Sequence, residues 1–299
     1  VVRIQGFTGH RRGTMNIIKN RKYSYMLSLA IIIAGLIMFF INGLNYGIDF
    51  TGGTMIQLNV GSFVEVEDAK EIMDTFDQNA SIIHAGAGRE EIIIRSSLDL
   101  GNNEITDIVD EFVGSFQMDP DNYQAQKFGA FMGKEIRDRA ILSIGIAALL
   151  MLGYISFRFQ FKFGVAAIVA LVHDILIALS IYSLLRLPVN SSFIAAMLTI
   201  VGYSINDTIV IFDRIREELK LNQKKGLEET IEDSVKLSLR RTINTTITTV
   251  IAVGALYVLG VEDVKVLALP LLLGMISGTY SSLFIATPVW FSLKRGKTI

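Results

Sequence analysis

An aspartate inside an apolar run is the residue of this sequence best placed to do chemistry. Asp207 stands in VGYSINDTIVIF, roughly 9 Å along a helix from the expected end of the run at Asp213. An ionisable side chain in hydrocarbon costs about 2.5–3.5 kcal/mol on insertion scales, so its retention points to use. The opposite charge heads the next apolar run, where Arg241 precedes Thr242, Thr245, Thr246 and Thr249 at helical spacing. If the two runs pack as neighbouring helices, a carboxylate alternating between a protonated and an Arg-paired state can relay an ion. A static clamp between helices, or an Arg241 that snorkels to the headgroups, is the alternative the pattern leaves open. Asn206, Thr245, His173 and Asp174 are secondary candidates for an ion path. Adjacent residues of a helix project about 100° apart, so His173 and Asp174 need not bond each other. They either line the same wet cavity or hold neighbouring helices as polar glue.

Other chemistry is poorly supplied. GIDFTGGT, from Gly47 to Thr54, approaches a phosphate loop, but Gly53 occupies the place of the nucleotide-binding lysine. Gly47, Asp49, Phe50, Gly52 and Gly53 are therefore expected to form a structural turn, with Gly52 and Gly53 permitting positive φ and close backbone approach. His10, His84 and His173 have no metal-ligand spacing, there is no cysteine, and no nucleophilic-serine elbow occurs. Asp174 and Asp207 could in principle serve an intramembrane aspartyl protease, but the glycine-containing motif of such proteases is missing. No catalytic residue, metal site or cofactor is expected, and the chain is read as a non-enzyme. Gly274 and Gly278 form a small-xxx-small pair, read as a helix-packing face.

The elements that must position these residues are apolar helices. Hydrophobic residues make up 51% of the 299 positions and mean hydropathy is +0.46, while charges cluster between long uncharged runs. The runs lie at about 26–44, 140–157, 163–185, 191–212, 242–259 and 264–291, which predicts six membrane spans. The first is too long for a signal-peptide core. Val1 at the start fits either a non-ATG start or the second half of a longer fused chain. A net charge of −1 leaves no basic stripe for nucleic acid. Basic residues gather in the N-terminal segment 1–25, in the loop at about 213–241 and in the tail 294–299, which puts all three, and both termini, on the cytoplasmic side.

Residues 45–139 are charged and therefore water-facing, on the outer side. MIQLNV alternates as a strand, and Val66, Ala69, Ile72, Met73 and Phe76 share one helical face. Strands near Ile82 and Ile92 follow, then a helix with Ile105, Ile108, Val109, Phe112 and Phe116 inward, then a strand near Tyr123. The order β-α-β-β-α-β predicts a ferredoxin-like α+β domain inserted between helices one and two of an α-helical polytopic membrane protein.

Six ordered segments then resemble one family: MNIIKNRK, GIDFTGGT, VALVHD, VGYSINDTIVIFDRIRE, LRRTINTTITT and GTYSSLFIATP. Together they resemble the SecD/SecF family of the bacterial Sec protein-export machinery, related to RND-type exporters. The outer domain is small for SecD, so SecF, or the SecF half of a fused SecDF, is the better match. The resemblance implies an accessory subunit that works with SecD and the SecYEG channel. It would draw a translocating polypeptide outward across the bacterial cytoplasmic membrane, in contact with membrane lipid, using the proton or sodium motive force. It also implies ion coupling by the aspartate and arginine that match Asp207 and Arg241. An RND-like exporter of small molecules or lipids, and a structural scaffold of the channel, are the rival readings.

Overall fold

The computed structural model describes residues 16–86 and 88–295. Arg3, Arg11, Arg12 and Lys297 of the basic termini lie outside them. Among the described residues, six helices are long and apolar enough to cross a membrane: α1 (Ile17–Asn42), α5 (Ala130–Arg158), α6 (Phe161–Leu184), α7 (Ser191–Leu221), α8 (Leu227–Leu259) and α9 (Glu262–Ser281) continued by α10 (Thr287–Arg295). In hydrocarbon each backbone N–H must be paired within its own segment, which is why apolar runs of this length become helices. α6, α7 and α9 with α10 bury about half of their apolar windows (56%, 50% and 50%), against 11% for α1 and α5 and 17% for α8. The first three therefore form the centre of the bundle and the others its periphery. Phe163 is the hub of one half of that centre, stacked on Trp290 at 4.5 Å and tilted against Phe212 at 4.8 Å.

Several helices outrun the apolar segments. α1 and α5 begin upstream of the runs expected at 26 and 140, and most of the loop expected over 213–241 is helix, with α7 and α8 separated by 222–226. The cause is amphipathic: beyond the membrane the two helices still bury Ile215, Ile231 and Val235, and charged residues on the opposite face are no obstacle to a helix in water. The last span is broken by a π-turn at Ser282–Ala286. Thr287 Oγ1 donates to Ser282 C=O at 3.0 Å across it.

Between α1 and α5 lies a βαββαβ unit: β1 (Gly53–Asn59), α3 (Val66–Met73), β2 (Ser81–Ala85), β3 (Glu91–Ser96), α4 (Asn102–Phe116) and β4 (Tyr123–Phe128), preceded by one helical turn, α2 (Ile48–Thr51). The sheet order is β2-β3-β1-β4 with every neighbour antiparallel, which is the ferredoxin-like arrangement. Register follows the apolar alternation: Ile56 faces Ile94 and Leu58 faces Ile92. These four join Ala69 and Met73 of α3 and Ile105, Ile108 and Phe112 of α4 in one core. His84 stacks on Phe63 at 5.1 Å and its Nε2 lies 2.6 Å from Val64 C=O, contacts that tie it to the segment before α3.

Candidate functional site

Among the described residues two aspartates are buried in the membrane helices, Asp174 and Asp207, and their surroundings differ. Asp174 of α6 is 1% exposed. Its Oδ2 accepts from Ser204 Oγ of α7 at 2.6 Å and from Ser281 Oγ of α9 at 2.8 Å. Its Oδ1 accepts from Ser277 Oγ at 2.7 Å and lies 3.1 Å from His173 Nδ1. His173 Nε2 in turn lies 2.8 Å from Ser28 Oγ of α1, and its ring is 6.0 Å from that of Tyr280, whose hydroxyl donates to Ser24 C=O at 2.9 Å. His173 and Asp174 thus do bond each other, although successive helix positions diverge by about 100°.

Asp207 of α7 is 3% exposed and sparsely bonded. Thr279 Oγ1 of α9 donates to its Oδ2 at 3.5 Å, a long contact. That hydroxyl has one proton and three oxygens around it: Asp207, Met275 C=O at 3.0 Å and Thr246 Oγ1 of α8 at 2.6 Å. The hydroxyl belt from α8 and α9 therefore meets the carboxylate without saturating it. Arg241 is exposed on α8 and makes no ion pair within 4 Å of Asp207 among the described residues. Thr245, half-buried, donates to Arg241 C=O at 2.9 Å. Asn206 points outward and is exposed.

Close approach of α9 to α7 makes both sets of contacts feasible. A Cβ on Gly274 would lie 2.0 Å from Ile200 Cδ1, and one on Gly278 would lie 2.9 Å from Ser204 Cβ. Gly274→Leu is expected to part the two helices at a cost of about 1–3 kcal/mol, read as a lower thermal-aggregation midpoint in detergent.

The GIDFTGGT turn forms the seam between the bundle and the α+β domain. Gly47 N–H donates to Val189 C=O at 2.8 Å and Val189 N–H to Asn45 C=O at 2.7 Å, a parallel bridge to the α6–α7 connection. Asp49 Oδ2 accepts from Ser191 N–H at 2.8 Å, the first residue of α7, where carboxylates are favoured by the helix dipole. Asn190 adds the cap proper, accepting from Phe193 N–H at 3.0 Å. Phe50 meets α5 so closely that a Cβ on Gly133 would fall 2.3 Å from its carbonyl oxygen. Asp49→Ala should cost about 1 kcal/mol and show as faster amide exchange in the first turn of α7.

Ser28, Ser204, Ser277, Thr279, Tyr280 and Ser281 complete these networks, and sequence reasoning assigned none of them a role. A signal exists in Ser277 and Ser281, one turn apart in an apolar helix, but single hydroxyls are common in membrane helices and do not name their partner. Among the described residues no cluster of His, Asp and Glu could hold a metal ion.

Comparison with known proteins places this geometry in a family. The SecD/SecF GG motif matches residues 37–62, and the C-terminal family of the protein export membrane proteins SecD/SecF matches 108–296. Protein translocase subunit SecF of Magnetococcus marinus is 36% identical, over 93% of this chain and 92% of that one. SecF of Desulfurispirillum indicum is 37% identical over 89% and 88%. SecDF of Bacillus subtilis is 32% identical over 92% of this chain and 37% of its own length. The crystal structure of SecDF from Thermus thermophilus, described as a translocon-associated membrane protein, superposes with a TM-score of 0.82 at 32% identity. The match covers 96% of this chain and 40% of that one, so the chain spans well under half of the fused protein. With two motif regions, near full-length similarity to SecF chains and a shared architecture, this chain belongs to the SecD/SecF family of protein export membrane proteins.

Proposed function

We propose that the chain acts as the SecF component of the Sec translocase, an accessory, non-enzymatic subunit that uses an ion motive force to promote late-stage export of polypeptides across the bacterial cytoplasmic membrane. The observation that carries the reading is Asp207: a carboxylate buried among membrane helices, weakly bonded, with a hydroxyl belt on one side and Arg241 on the neighbouring helix α8. A site built for a permanent charge would be saturated with donors; a site that exchanges an ion must leave a lone pair free. One charge crossing 100 mV releases ~2.3 kcal/mol, enough to bias a hinge between two arrangements.

SecD is the partner, as a separate chain or fused half. α7 and α8 support this by exposing Asn206, Arg241, Asn244 and Thr248 in or beside their apolar stretches, polar groups that hydrocarbon would not solvate. The SecYEG channel and the translocating polypeptide are the further partners, the latter meeting the α+β domain. Arg214, Arg216, Lys220, Lys224 and Lys225 near the α7–α8 turn favour a cytoplasmic side for that turn and for both termini, which leaves the α+β domain outside.

The test is complementation of a strain depleted of its own SecF, with wild-type chain or with Asp207→Asn at equal membrane abundance. Accumulation of secreted precursor in the Asp207→Asn cells supports the reading. Normal export would favour a scaffold, and normal export with impaired efflux of a small molecule or lipid would favour an RND-like exporter.

A further inference from the structure

We infer that Asp174 is the positioning residue for Asp207, a hydrogen-bonded clasp that sets the register of α7 against α9, and is not itself a station on the ion path. The inference rests on reading Asp207 as the coupling carboxylate.

The argument is a comparison of lone pairs. An ionised carboxylate offers about four acceptor sites. At Asp174 all four are taken, by the hydroxyls of Ser204, Ser281 and Ser277 and by His173 as its Nδ1–H tautomer, at 2.6–3.1 Å and with 1% exposure. An incoming ion would have to displace one of these donors and leave it unpaired where water does not reach. Asp207 has the opposite character, with one long bond to a hydroxyl that has nearer acceptors.

The donors to Asp174 are also those that would set the geometry of Asp207. Ser204 precedes Asp207 by one helical turn on α7, and Ser277 and Ser281 bracket Thr279 on α9, which donates to Asp207. One carboxylate on α6 therefore holds both helices at the level where they present the exchange site. Gly274 and Gly278 allow the approach but, lacking side chains, cannot choose an axial register. Directional bonds to Asp174 can. His173 extends the clasp to α1 through Ser28.

A clasp and a relay respond differently to an amide. Asparagine keeps the size of Asp174; its oxygen accepts and its NH₂ donates to hydroxyls that can reverse direction, so the clasp survives without a titratable group. We expect Asp174→Asn to keep gradient-driven export within about threefold of wild type, and Asp174→Ala to lose about tenfold or more. A second readout does not depend on export. The chain has no cysteine, so an Ile200→Cys/Gly274→Cys pair across α7 and α9 reports their register by its disulfide yield on oxidation. Yield should be unchanged by Asp174→Asn and fall several-fold with Asp174→Ala. Where Asp174→Ala does not accumulate, Ser277→Ala, Ser281→Ala and the double variant replace it, with graded losses of yield expected. Asp174→Asn as defective in export as Asp174→Ala would make Asp174 a relay and overturn the inference; so would an unchanged yield in Asp174→Ala or in the double serine variant. If Asp207→Asn keeps its gradient response, the coupling reading falls, while the disulfide yield still decides whether Asp174 clasps α7 to α9.

Discussion

Asp207→Asn is expected to abolish the acceleration of precursor translocation by an imposed ion gradient in membrane vesicles, while the gradient-independent rate stays near that of wild type. The amide preserves side-chain volume and can still accept from Thr279, so the packing of α7 against α9 is retained. What it removes is the ability to alternate between charged and neutral forms. One charge crossing 100 mV is worth ~2.3 kcal/mol, which corresponds to a bias of about 50-fold between two arrangements, and that is the ceiling for the loss per charge. Among the described residues Arg241 makes no contact ion pair with Asp207, so its charge is expected to matter more than its geometry. Arg241→Lys should keep more of the gradient response than Arg241→Gln. An Asp207→Asn vesicle that responds fully to the gradient would remove ion coupling from this residue.

Gly53→Ala should be among the most damaging substitutions of the chain outside the bundle. Gly53 opens β1 with φ +139°, a region L-residues rarely enter, and a Cβ there would lie 2.1 Å from Ser96 C=O on the neighbouring strand. The obstructing atom is backbone and cannot rotate away. Strain at such a φ costs on the order of 1–3 kcal/mol and forced overpacking a similar amount, so the two together approach the stability of a small domain. The control is Gly114→Ala in α4, where nothing lies within 4 Å and the helix should gain up to about 1 kcal/mol. Limited proteolysis of membranes checks both: Gly53→Ala should expose the α+β domain to cleavage, and Gly114→Ala should not. Equal resistance in the two variants would mean the seam can shift to admit a side chain.

The α+β domain was legible because its elements are set by local pattern. Ile56 and Leu58 alternate, and Ile105, Ile108 and Phe112 recur at helical spacing, so each element declares its buried face and the order βαββαβ leaves few ways to stack them. The spans were legible because hydrocarbon demands long apolar segments, although their helices run on into water wherever an amphipathic face such as that of Ile215, Ile231 and Val235 continues to pack. Asp207, His173 and Asp174 announced themselves by the cost of placing them in apolar helices.

What those residues do depends on who donates to them, and a hydrogen bond between helices is a property of the packed bundle. Thr279 comes to Asp207 from 72 residues away in sequence and meets Thr246 across 33, and Ser277 and Ser281 reach Asp174 across more than a hundred. Hydropathy and spacing by themselves determined that the chain has six apolar helices, a ferredoxin-like insertion and charges inside its spans. Tertiary structure alone decided that Asp174 is saturated and Asp207 is not, because the number of donors around a carboxylate is set by the register of neighbouring helices, and no local pattern encodes that register.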